Sequence, residues 1–219
     1  MAADRPDLRR QQWSAGSYDT HARFVSELSA GVVDWLAPRP GERILDVGCG
    51  DGALMAALRD QKQVDARGME IDRDNVAACV ARGLSVIQGN ADTDLADYPD
   101  MAFDYAVLSQ TLQTTMRPDL VVEQLLRIGA RAFVSFPNFA QWRTRIALMF
   151  GGMMPVTKQL PARWYDTPNI HHVTIDDFRD FIAQRGIRIE GQWFLRGNRL
   201  IGERGANLLA EHAVFLLAR

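Results

Sequence analysis

From Gly41 onward, short runs of apolar and β-branched residues alternate with segments whose apolar positions recur every three or four residues. The first run, Arg43 to Val47 (RILDV), reads as a strand, and after Gly48 to Gly52 the segment ALMAALRD is rich in strong helix formers. A second strand is predicted at Ala66 to Ile71, a helix over Asp74 to Arg82 closed by Gly83, and a third strand at Leu84 to Gly89. Further strands fall at Phe103 to Ser109, Arg131 to Phe136, Ile187 to Leu195 and His212 to Leu217. Helices are expected at Pro118 to Ile128, Phe139 to Phe150 and Thr174 to Arg185, the last capped by Thr174 and Asp177. Ahead of the first strand, Phe24, Leu28, Val32 and Trp35 give Tyr18 to Leu36 the stripe of an amphipathic helix. Gly151 to His172 shows no period.

Strands alternating with helices predict a parallel sheet covered on both faces, so the expected class is α/β, a Rossmann-like three-layer sandwich in one domain over residues 1–219. Residues 1–40 form its N-terminal helical segment and 151–172 an insertion. With 25 basic against 27 acidic residues, the net charge of −2 gives no electrostatic reason for a nucleic-acid or membrane-surface partner. The N-terminus lacks an apolar signal core, and no run reaches the length of a spanning helix. The two cysteines, Cys49 and Cys79, have no spaced Cys/His companions of a metal site, and a reducing cytoplasm suits them.

The chemistry concentrates at Asp46-Val-Gly48-Cys-Gly50-Asp-Gly52, which ends a strand and opens a helix. Glycines there permit a tight reversal and let a ligand lie against the main chain, while the helix start offers free N–H groups. Glu70 ends the second strand, 20 residues past Gly50, where an acidic side chain accepts hydrogen bonds from ribose hydroxyls. An acidic residue before G-x-G, with the third glycine one residue on, departs from the G-x-G-x-x-G of nicotinamide dinucleotides. It suits the cationic amino-acid part of S-adenosylmethionine (SAM). A nucleotide, or a turn that binds nothing, is the alternative.

This pattern resembles the class I SAM-dependent methyltransferases, which implies a seven-stranded, mostly parallel sheet with a C-terminal antiparallel hairpin. It also implies SAM as cofactor, with S-adenosylhomocysteine (SAH) as product. By that resemblance Asp46, Gly48 and Gly50 line the methionyl part and Glu70, followed by Ile71, holds the ribose. Asn90, Ala91 and Asp92 lie at the adenine, with Asp92 the fallback for Asn90, while Ser109 and Gln110 meet the sulfonium and acceptor. Trp13 and Tyr18 are candidates to shield the cofactor. The stretches VIQGNADTDLADYPD, LSQTLQTTMRP, VSFPNFAQWR and MPVTKQLPARWYDTPNIHHVTI look like the methionine-biosynthesis MetW family. That resemblance implies either methyl transfer to a small-molecule acceptor or a SAM-binding accessory role beside a homoserine O-acyltransferase. No G-x-S-x-G elbow is present, so any acyltransferase connection would run through a partner. Candidate catalytic residues are His171, or its neighbour His172, as a general base, and Tyr165, in the insertion that serves either as a substrate lid or as a docking loop. Cys49, inside the turn, is expected to be a small filler.

Overall fold

The computed structural model describes residues 31–157 and 160–219. Its eight strands form one sheet: β1 Arg43–Val47, β2 Asp65–Glu70, β3 Ser85–Gln88, β4 Phe103–Ser109, β5 Gly129–Pro137, β6 Arg188–Arg196, β7 Arg199–Ile201 and β8 His212–Ala218. The order is β3-β2-β1-β4-β5-β8-β6-β7. The first five strands are mutually parallel, and β8 runs antiparallel to both β5 and β6. The expected sheet of seven strands therefore has eight. The additional one, β7, is three residues long and folds back on β6 across a turn in which Gly197 has φ of 55°. The Gly197-Asn198 dipeptide is the hairpin signal that marks it.

Residues 31–36 are helical (α1), followed by α2 Ala53–Lys62, α3 Arg73–Ala81, α4 Pro118–Ile128, α5 Trp142–Gly151, α6 Ile175–Gln184 and the short α7 Ala206–Leu209. Of the helix anticipated over Tyr18 to Leu36, the part before residue 31 lies outside the described residues. The helix expected from Phe139 starts three residues later, because the Phe139 amide bonds to the Val173 carbonyl instead of entering a helix.

Period-two alternation sorts the strand side chains between two faces. On one, Leu45, Val47, Leu108, Val134 and Phe215 meet α4 and α6. On the other, Ile44, Tyr105, Val107, Phe133 and Val214 meet α1 and α2. The first face is sealed by aromatic packing: Phe178 of α6 has its ring centroid 4.8 Å from Phe136 and 5.0 Å from Phe215. On the second, Trp35 of α1 stacks on Trp193 at 5.4 Å. The result is the expected three-layer α/β sandwich. Its strand order reverses between β1 and β4, and in open α/β sheets the crevice beyond such strand ends is where ligands bind.

Candidate functional site

The β1–α2 turn stands at this reversal. Gly48, Gly50 and Gly52 all have positive φ, at 69°, 56° and 78°. A Cβ on Gly48 would come within 2.5 Å of Thr111 Oγ1, so the residue must be glycine for the turn to lie against the segment after β4. A Cβ on Gly50 would meet nothing within 4 Å, which leaves that position facing open space in which a ligand can lie on the main chain. The turn is tied down by Gly48 and Cys49 N–H groups donating to the Met69 carbonyl.

Glu70 is buried and bridges two turns, since Oε2 accepts from Gly50 N at 2.8 Å and Oε1 from Asp72 N at 2.9 Å. Each oxygen keeps a lone pair for a hydroxyl donor. Asp46 is 2% exposed, and its carboxyl is pushed up to about 7, first by burial and second by the charge of Glu70. The described residues thus place two acidic groups together, and the charge they set acting on Asp46 is another negative one.

Cys49 and Cys79 have their sulfurs 4.0 Å apart, and the Cys79 thiol donates to the Gly50 carbonyl at 3.2 Å. Burial pushes both thiols up, with Asp46 adding to the effect on Cys49, so they stay protonated and brace the turn.

The other expected positions ring this turn along the C-terminal edge of the sheet. Ile71, beside Glu70, is largely exposed. Asn90 closes a small loop, its Oδ1 accepting from Asp92 N, while Ala91 packs on the core. Asp92 engages both oxygens with the Met116 and Arg117 amides, holding the chain that leads into α4. Ser109 Oγ lies 3.2 Å from Ser135 Oγ. Gln110 has a φ of 56°, unusual for a residue with a side chain, and its main-chain and side-chain nitrogens both donate to Ser135 Oγ at 3.1 Å.

His171 reaches this edge through its main chain: the Ile170 and His171 amides both donate to the Gln113 carbonyl, at 2.8 and 3.0 Å. Its Nε2 is enclosed without a hydrogen-bond partner. The next histidine, His172, sits edge-on to Phe139 at 4.5 Å and is pushed down by burial and by His171. Tyr165 is not drawn into this cluster. It is exposed, lies edge-on to Trp164 and accepts from Arg163 through its hydroxyl. Tyr18 and Trp13 lie outside the described residues.

Two buried amide side chains go unremarked in the sequence. Gln113 donates from Nε2 to the Gln110 carbonyl at 2.7 Å, which turns Oε1 toward a buried position with no partner. Gln141, at the start of α5, accepts from Arg143 N through Oε1 and leaves Nε2 buried and unpaired. Burying unpaired polar atoms is costly, so such atoms call for a ligand or water. The Q-T-L-Q spacing from Gln110 to Gln113 is the signal that could have found the first; nothing in the pattern marks the second.

A doubly wound sheet with an acidic-glycine turn at its reversal is the frame of the class I SAM-dependent methyltransferases. A solved SAM-dependent methyltransferase from Archaeoglobus fulgidus has the same fold, with a TM-score of 0.65 at 14% identity over 88% of this chain and 93% of that one. Magnesium protoporphyrin IX methyltransferase from Synechocystis PCC 6803, solved with SAH, gives 0.62 at 15% identity over 96% and 90%. Within that frame, the chain belongs to the MetW family: the model of "methionine biosynthesis protein MetW" matches residues 30–217. The bifunctional methionine biosynthesis protein MetXA/MetW of Rhodopirellula baltica is 32% identical over 217 residues, covering 92% of this chain and 35% of that protein. Against the first curated relatives, the chain spans between about a third and half of their length.

Proposed function

We propose that this chain binds SAM at the β1–α2 turn and transfers its methyl group to a small-molecule acceptor. The observation that carries the reading is the buried pair Asp46 and Glu70, which lacks a positive partner among the described residues, next to the open face of Gly50. SAM supplies a methyl group activated by its sulfonium, together with an ammonium that suits Asp46. Gly50 and Ala53 N–H groups lie at the start of α2, although Gly50 N is engaged by Glu70 and Ala53 N by Asp51 Oδ1 at 3.1 Å. The carboxylate of Glu70 is therefore held rigidly for two ribose hydroxyls, and Ile71 offers a flat apolar surface beside it. Asn90 and Ala91 border the adenine, with Asp92 behind them supporting the loop.

On the acceptor side, Ser109 and Gln110 stand at the end of β4, with Gln110 fixed by Ser135. Because the leaving group is already activated, in-line holding of the acceptor supplies much of the catalysis. His171 Nε2 is the group able to take an acceptor proton. Tyr165, exposed and in contact with Arg163 and Trp164, takes no part in this proton transfer.

Calorimetric titration of the purified protein with SAM, SAH and NAD tests the reading. Micromolar SAM and SAH binding, about −8 kcal/mol, is expected without NAD binding. Equal affinity for NAD would overturn it. Mass spectrometry of a metabolite mixture incubated with SAM labelled in its methyl group then reports the acceptor.

A second reading is favoured by one finding, the joining of MetXA and MetW in a single Rhodopirellula protein. In it, this chain works beside a separate homoserine O-acyltransferase and uses the same SAM pocket to modulate it. A change in acyltransferase rate on adding this chain, with and without SAM, tests that role.

A further inference from the structure

Helix α5 is built inside out. The side chain it buries is Thr144, a polar residue, whereas Ile146, Met149 and Phe150, spaced to share one face, point to solvent. Met149 and Phe150 are 71% and 77% exposed, and Met153, just past the helix end, is 75% exposed. The segment that follows adds Trp164 at 73% and its neighbour Tyr165. Of the eighteen large apolar side chains exposed among the described residues, nine lie within 146–170, so this is a concentration and not the usual scatter of single exposed residues.

A ten-residue helix gains little stability alone and ordinarily secures itself by burying an apolar stripe. Here α5 is instead held by polar ties. Gln141 caps it, Arg145 Nε donates to the Ala140 carbonyl, and Arg143 pairs with Glu211 at 3.6 Å. Its apolar stripe is left for another molecule. Methionine and aromatic side chains ringed by arginines match the composition of a protein-interface centre and its rim.

One occupant is indicated by the fused relative. In the Rhodopirellula protein the counterpart of this chain is only 35% of the polypeptide, and a covalent link keeps its MetXA part at high local concentration. Where the two are separate chains, that proximity must come from a surface. We propose that the outward face of α5, with Met153, Trp164 and Tyr165, is the docking surface for a separate MetXA-type chain. The proposal rests on the second functional reading above.

The test uses full-length protein and the purified homoserine O-acyltransferase of the same organism, with binding measured by interferometry and oligomeric state by analytical ultracentrifugation. Phe150→Glu and, independently, Trp164→Glu are compared with Leu200→Glu, an exposed position on β7. Circular dichroism and SAM titration confirm that each variant folds. At least a tenfold loss of affinity in the first two, with the third unchanged and SAM binding retained in all, is the expected result. Wild-type binding that survives both substitutions would overturn the surface assignment and leave the partner reading standing. Absence of wild-type binding would remove the partner reading and this proposal with it. A wild-type dimer that Phe150→Glu dissociates, without effect on the acyltransferase, would reassign the face to a second copy of this chain.

Discussion

The β1–α2 turn and the α5-to-His171 region are both irregular joins after a strand, yet they spend their residues in opposite ways. In the turn, polar and charged groups face inward. Asp46 and Glu70 are buried, and every glycine with its neighbours is constrained by Thr111, Met69 or Cys79. In α5 and its continuation, apolar groups face outward. A buried acidic pair and an exposed apolar stripe are both unfavourable in isolation, and under the two proposals above each would be offset by a different ligand: a small cation for the first, a large apolar surface for the second.

The contrast breaks most sharply with Gly48→Val. The added carbons would collide with Thr111 at a positive φ, so SAM binding should vanish in calorimetry and the fold should lose about 3 kcal/mol. His171→Gln should leave SAM affinity unchanged and lower the methyl-transfer kcat by about 100-fold, whereas Tyr165→Phe should alter it less than about threefold. Equal losses would place Tyr165 with His171 in the proposed methyl-transfer site.

Asp46→Asn should weaken SAM at least tenfold. In the wild type, affinity should rise as pH increases through about 7, when Asp46 ionises, and the Asn variant should lack that rise. Stability runs the other way. The unfolded chain releases the Asp46 proton near 3.8 while the fold keeps it to about 7, so this group's contribution falls across that window. The ligand-free Asn variant should therefore melt higher than wild type at pH 8. At the small end, Phe150→Ser should change folding stability by less than about 0.5 kcal/mol, because the side chain is already in water. A loss several times larger would mean that the stripe is covered within the chain itself.

The turn was legible because its chemistry is local. A strand, three glycines and an acid 20 residues on are consecutive facts, and β4 and α4 fall at the boundaries that the pattern predicts. What the pattern did not carry depends on closure of the fold. Which groups occupy the oxygens of Asp92 is fixed by how the Met116 and Arg117 amides return to it, some 24 residues later. Gln113 and Gln141 are ordinary amides until three-dimensional packing removes one partner from each. The apolar residues of 146–170 were visible as letters, but the direction they face was not, since Thr144 takes the inward position that an amphipathic reading gives to Ile146 or Phe150. The three-residue β7 is too short to show a period.

The Gln113 carbonyl, which accepts both the Ile170 and the His171 amide, makes the insertion and the end of β4 mechanically one piece. Gln113 in turn grips the Gln110 carbonyl, and Gln110 leans on Ser135 at the C-terminal edge of the sheet. A body that displaces the insertion would thus displace the wall of the proposed methyl-transfer pocket. Thermodynamic reciprocity then fixes the rest: by whatever factor a docked chain changes the affinity for the cofactor, the cofactor changes the affinity for that chain by the same factor.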